Sequence, residues 1–224
     1  MYIDAHTHQQ YPHHPSVYSI YNQPLQTPIA PNQPLSVGIH PWHIQSTTSI
    51  QQQLNTLETL LHQHHPNIVA IGECGLDKQI PTPLDIQQQV FVAHIHLANQ
   101  LQRPLIIHCV RAWSELVACL TQHKAQVPVI IHGFNQRPTI ANLLLAKGYT
   151  LSLGAALLYP TSNARTLLPT LSHTTFLLET DNTPLHIQQI YTHAAQIRQT
   201  DIHTLCHQLY THASHIGLVP TINP

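Results

Sequence analysis

Short runs of apolar residues recur along the chain at residues 1–5, 17–21, 35–39, 68–72, 105–107, 127–131, 149–153 and 176–178. They are nearly continuous rather than alternating, the pattern of parallel strands covered on both faces. Longer segments with helical spacing follow most of them. Residues 49–65 carry Leu54, Leu57, Leu60 and Leu61, and residues 84–101 carry Ile86, Val90, Ala93 and Leu97. Segments 112–123, 138–147, 184–198 and 202–216 repeat the pattern. Strand alternating with helix predicts an α/β architecture, and eight strands predict a closed (β/α)8 barrel.

Two connections depart from that ideal. Residues 9–16 are too few for a helix, and residues 22–34 hold four prolines. Proline lacks an amide donor and fixes φ, so no helix is expected there. The expectation is a distorted barrel whose first two crossover helices are missing or reduced. No repeat, linker or low-complexity tail divides the chain, which predicts a single domain over residues 1–224.

Hydrophobic residues make up 42% of the chain, enough for a packed core. No run of eighteen apolar residues and no leader-like segment is present, so a cytoplasmic protein without membrane partners, monomeric by default, is expected. The four cysteines lie in apolar runs without CxxC spacing and read as reduced core residues. Charge is sparse: eight Lys and Arg against nine Asp and Glu, beside 21 histidines. Proteins that grip long duplex DNA neutralise many phosphates with basic side chains. A nucleic-acid substrate here would be held as a strand end or small fragment. The histidine load should make the surface positive on acidification, strengthening nucleic-acid binding as pH falls. The pairs His94/His96, His203/His207, His62/His65, His13/His14 and His64/His65 are expected to be solvent-facing.

Candidate chemistry sits at the ends of the strand-like runs. His6 and His8 close the first, Glu73 the fourth, His108 the fifth, His132 the sixth and Asp181 the last. Residues i and i+2 of a strand share a face, so His6 and His8 point the same way. In parallel barrels the carboxyl ends of the strands surround the active site. A lone histidine among 21 is usually ordinary, but six metal-type ligands at five strand ends describe a site for one or two Zn, Mn or Mg ions. Arg111 is a candidate phosphate contact, and His40 either binds substrate or caps the wall of the fold. Asp77, followed by Lys78, is expected to organise a turn.

The motifs DAHTH (4–8), GIHP (38–41), GECGLD (72–77), IIHCVR (106–111), IIHGF (130–134), SLGA (152–155) and LLETD (177–181) come in one order along the chain. Together they resemble the TatD family of metal-dependent hydrolases, and residues 202–216 resemble its last helix. The resemblance implies a TIM-like barrel and phosphodiesterase or DNase chemistry on nucleic-acid ends or a small phosphodiester. It implies that His6, His8 and Asp181 hold one ion, that His108 and His132 hold a second, and that Glu73 bridges both. Asp181 would then take a proton from the attacking water. The chain departs from the family in Gly133, where a cysteine is usual, in Thr183 ahead of Pro184, and in its shortness. Those departures leave the substrate range open. Rival readings are a phosphoesterase of the polymerase-and-histidinol-phosphatase type, an amidohydrolase acting on C–O or C–N bonds, and a non-catalytic binding module.

Overall fold

The computed structural model describes residues 1–10, 14–29, 32–44, 47–63 and 66–220. His13, His64 and His65, named above among the histidine pairs, lie outside the described residues. Eight strands occur among the described residues: β1 (Tyr2–Thr7), β2 (Val17–Gln23), β3 (Leu35–Val37), β4 (Ile68–Asp77), β5 (Leu105–Val110), β6 (Val129–Ile131), β7 (Thr150–Leu153) and β8 (Phe176–Leu178). The helices are α1 (Thr47–His62), α2 (Leu84–Leu101), α3 (Trp113–Gln122), α4 (Pro138–Leu145), α5 (Asn163–Leu167), α6 (Ile187–Arg198) and α7 (Ile202–His215). Among the described residues, neither the β1–β2 nor the β2–β3 connection holds a helix. Among the described residues no helix is long and apolar enough to cross a membrane.

The chain forms two compact units, Met1–Tyr21 with Ile130–Pro224, and Asn22–Val129. In the first, β1 pairs in parallel with β2, and β7 with both β6 and β8. An isolated parallel bridge, Thr7 to Asp181, joins the far ends of β1 and β8. Ile3, Ala5, Leu151, Leu153, Phe176 and Leu178 are buried there, as are Tyr191, Leu205 and Leu209 from the last two helices. Helix α7 starts on Asp201, whose carboxylate accepts the Thr204 N–H at 2.8 Å, a strongly preferred cap residue. Its end runs into Gly217 at φ +73°, where a left-handed residue stops the helix.

In the second unit β4 pairs in parallel with β3 and β5. Helix α2 buries Val90, Phe91, Ile95 and Ala98, the stripe of an amphipathic helix. His94 lies in that stripe and is fully buried, which corrects its placement at the surface; His96, His203 and His207 are exposed. Spacing alone fits both faces, because His94 falls three and four residues from Phe91 and Val90. Its Nδ1 lies 2.7 Å from the Val90 carbonyl, and its Nε2 accepts the Ile39 N–H at 2.9 Å. The ring is therefore neutral with its proton on Nδ1, and it ties α2 to the segment after β3. All four cysteines are buried and unpaired.

Burial lowers the His94 pKa to about 4, and the same cause lowers His212, beside Thr150, to about 4. Each takes up a proton near pH 6.5 when unfolded but only near pH 4 when folded. The unfolded chain thus binds more protons between these values, and stability falls as pH drops through that window. Between pH 7.5 and 5, wild type should lose about 2 kcal/mol more than His94→Gln, read from urea midpoints at the two pH values. Equal losses would show that the buried ring does not titrate this way.

Candidate active site

In the first unit the segment at His6–His8 and the segment at Asp181 are joined by backbone. The Asp181 N–H donates to the His6 carbonyl at 2.9 Å, and the His8 N–H donates to the Asp181 carbonyl at 3.1 Å. Asp181 takes φ +52°, a left-handed conformation that Asp tolerates better than most residues. Buried Asp4 holds the preceding residue: its carboxylate accepts the Thr180 N–H at 2.9 Å and the Thr180 hydroxyl at 2.7 Å. Burial pushes the Asp4 pKa up to about 7, against these hydrogen bonds.

That frame sets His6 Nε2 3.2 Å from His8 Nε2, with Asp181 Oδ1 3.8 and 3.5 Å away. Three ligand-type atoms form a small triangle, and such a triangle needs a shared proton or a cation at its centre. Metal–ligand bonds of about 2.0–2.1 Å give ligand-to-ligand edges of roughly 3.0–3.4 Å, so a cation fits with little adjustment. His6 is buried, whereas His8 and Asp181 are partly open to solvent.

His132, one residue past β6, packs its ring 4.5 Å from that of His6. Its Nδ1 faces Glu179 Oε1 at 3.5 Å, which leaves Nε2 as the atom for a ligand. Glu179 is fully buried and accepts the Gly133 N–H at 2.6 Å. Burial disfavours its charge, but the His132 hydrogen bond, the His132 charge and then His6 outweigh it, and its pKa falls below the usual glutamate value. Glu179 escaped the sequence reading although it stands in the LLETD motif. The alternation with Asp181 two residues on was the available signal.

In the second unit Glu73 lies in the middle of β4, not at its end, because the strand continues through GECGLD to Asp77. Gly72 and Gly75 make this possible at φ +142° and +141°. A Cβ on Gly75 would stand 2.0 Å from the His108 carbonyl oxygen, and one on Gly72 2.3 Å from that of Ile106. Asn22 then fixes Glu73, accepting its N–H at 3.0 Å and reaching Oε2 at 3.4 Å.

Glu73 Oε1 lies 3.1 Å from both His40 Nε2 and His108 Nδ1, and these three residues form a second possible metal group. The two imidazoles differ. His40 caps the turn Pro41–His43, its Nδ1 accepting the Trp42 N–H at 3.1 Å, so the proton of the neutral ring sits on Nε2. Burial lowers the His40 pKa despite Glu73, which keeps the ring neutral near pH 7. His40 is thus a donor. His108 has its Nε2 3.5 Å from Asp77 Oδ2, the carboxylate–histidine arrangement that frees Nδ1 as a ligand. Asp77 does organise a turn, through the Gln79 N–H at 2.8 Å, and it also accepts the Trp42 indole N–H at 2.7 Å. Burial raises its pKa, but the Trp42, Gln79 and His108 contacts prevail and hold it below the ordinary value. Arg111 follows β5 directly, exposed on left-handed backbone at φ +54°.

Comparison with known proteins gives this arrangement its class. The TatD homologue YjjV of Escherichia coli superposes with a TM-score of 0.81 over 98% of both chains at 24% identity. That likeness shows the fold, which is of the TIM-like (β/α)8 class with parallel strands alternating with helices. Residues 27–216 match the model of the TatD related DNases, and the chain belongs to that family. The metal-dependent hydrolase TatD of Mycobacterium tuberculosis is 31% identical over 153 residues, covering 65% of this chain and 56% of that protein. The 3'-5' ssDNA/RNA exonuclease TatD of Yersinia pseudotuberculosis is 30% identical over 152 residues, covering 65% and 56%. The chain thus spans little more than half the length of these relatives.

The glycine geometry yields a stability test. Gly75→Ala must displace the His108 backbone and should cost at least about 3 kcal/mol. Gly148→Ala, also at positive φ but with nothing near its Cβ, should cost about 1 kcal/mol. Urea midpoints that rank the two equally would refute this account of GECGLD.

Proposed function

We propose that this chain is a divalent-metal-dependent hydrolase that cleaves phosphodiester bonds at nucleic-acid ends or in small phosphodiesters. The observation that carries the reading is the convergence of ligand atoms at 3.1–3.8 Å in two clusters. Such facing acceptors suit one or two Zn, Mn or Mg ions. His6, His8 and Asp181 would hold an ion, Glu73 and His108 Nδ1 would do the same, and His132 would offer Nε2. A bound divalent ion supplies Lewis-acid charge and makes water more acidic. Asp181, half open to solvent, accepts the proton of the attacking water. His40, whose Nε2–H faces Glu73 Oε1 at 3.1 Å, would share that donor with a phosphoryl or leaving-group oxygen, a role that its tautomer suits better than metal ligation. Arg111 contacts a phosphate through its planar fork of donors. Nuclease action fits the family and the exonuclease name of its Yersinia relative. Four unpaired cysteines support a reducing, cytoplasmic setting, and a monomer is the simplest working form.

Three measurements test this. Chelation by EDTA should abolish cleavage of single-stranded DNA and of bis-p-nitrophenyl phosphate, and re-adding Mn, Mg or Zn should restore it. Asp181→Asn should lower turnover by about 10²–10⁴ while bound metal stays close to wild type. Glu73→Ala should lower bound metal by elemental analysis. Wild-type turnover in the first variant removes Asp181 as the base, and unchanged metal in the second removes Glu73 from the ligand set. Activity confined to lactones or amides would sink the phosphodiesterase reading.

A further inference from the structure

Among the described residues the exposed large hydrophobic side chains are Met1, Trp42, Leu143 and Tyr159. Trp42 stands apart from the others by its position. Its ring lies 5.1 Å from that of His40 and 6.1 Å from that of His108, nearly perpendicular to both. It is 64% exposed, yet it is held in place. The indole N–H is committed to Asp77 Oδ2 at 2.7 Å, and Asp77 is buried and anchored by Gln79. The backbone N–H is committed to His40 Nδ1 at 3.1 Å.

A tryptophan that served only packing would bury its ring, since aromatic burial is its main contribution to stability. Here the polar edge is spent on a carboxylate that also faces His108, while most of the residue remains in water. Orientation is fixed and surface is left open, which are the requirements of a platform for a flat ligand. The chain also has only eight Lys and Arg with which to attract phosphates, so affinity for a strand must come from elsewhere. Aromatic stacking supplies it without regard to sequence, because every base has a π face.

We propose that Trp42 is a stacking platform for a nucleobase of a single-stranded nucleic-acid end, adjacent to the phosphodiester served by His40, Glu73 and His108. This rests on the nuclease reading above and adds the element that selects a nucleotide over a simple phosphodiester. Because the ring sits within one nucleotide's span of His40, the base concerned is the last or the next to last. His40, through the Trp42 N–H it accepts, and His108, through the Asp77 oxygen it shares with the indole, stand in fixed register with the platform.

The test is a binding cycle on the Mn-loaded protein by fluorescence anisotropy. The probe is a labelled single-stranded oligodeoxynucleotide with phosphorothioate linkages at its 3' end to resist cleavage. A matched probe lacks the bases of its last two nucleotides. Trp42→Ala should weaken binding of the intact probe about tenfold or more and leave binding of the abasic probe unchanged. Trp42→Phe, which keeps a stacking face but not the N–H, should recover most of the loss. Urea midpoints near wild type for both variants confirm that the fold is kept. Equal weakening of both probes, or no weakening of either by a wild-type enzyme that cleaves single-stranded DNA, overturns the stacking role alone. Failure of the metal-loaded wild type to cleave any single-stranded DNA or RNA overturns the nuclease reading, and this inference with it.

Discussion

The first unit depends on one short stretch of backbone pairing between residues more than 170 positions apart. Asp181 donates to His6 and accepts from His8, so the last motif is hydrogen-bonded to both sides of the first. Closing so long a loop is entropically costly, and the cost grows only slowly with length once the core has formed. What must be specified is register, and Asp4 specifies it. Its two oxygens hold the amide and hydroxyl of Thr180, and the same hydroxyl also reaches Thr7 Oγ1 at 3.0 Å. A one-residue slip would leave a buried carboxylate without donors, a penalty of several kcal/mol. The left-handed turn at Asp181 then projects its side chain back toward His6 and His8. Asp4 and Thr180 touch no ion in this scheme, yet they position the residues that would.

The second unit solves a similar problem by removing side chains. Gly72 and Gly75 let β4 run close against β5, and Glu73 and His108 therefore meet at 3.1 Å. Asn22 and Asp77 complete the setting, one holding the carboxylate and the other the imidazole. His94 accepts the amide of Ile39 and so anchors the residue that precedes His40. Ligand-type atoms are placed by rigid, hydrogen-bonded neighbours, which is how a site is preorganised for charge.

Much of this is legible in the amino-acid sequence. Eight apolar runs gave eight strands because each run contributes apolar side chains to a buried core. The two early connections carry no described helix because their prolines and shortness forbid one. His6, His8 and Asp181 could be named because ligand-type residues are conspicuous at the ends of apolar runs. The misses have physical causes too. His94 reads as polar, but a neutral imidazole with both nitrogens satisfied is tolerated inside a core. Glu73 lies mid-strand because two glycines extend β4 in a conformation no propensity scale anticipates. The tautomers of His40 and His108 decide which ring presents a donor and which a ligand-type atom to Glu73, and they are set by Trp42 and Asp77 through contacts no spacing rule reveals.

The scarcity of permanent charge gives these details their weight. With eight basic and nine acidic residues in 224, the chain generates little long-range field to draw in a polyanion. Recognition must then be local and geometric. An imidazole donor whose proton is fixed by a backbone amide keeps its orientation without needing to be charged. A carboxylate that serves both an imidazole and an indole links the cluster of His40, Glu73 and His108 to its exposed aromatic. On the proposed function, such a surface would favour ligands small or mobile enough to enter fully, a condition that strand ends meet and continuous duplex does not.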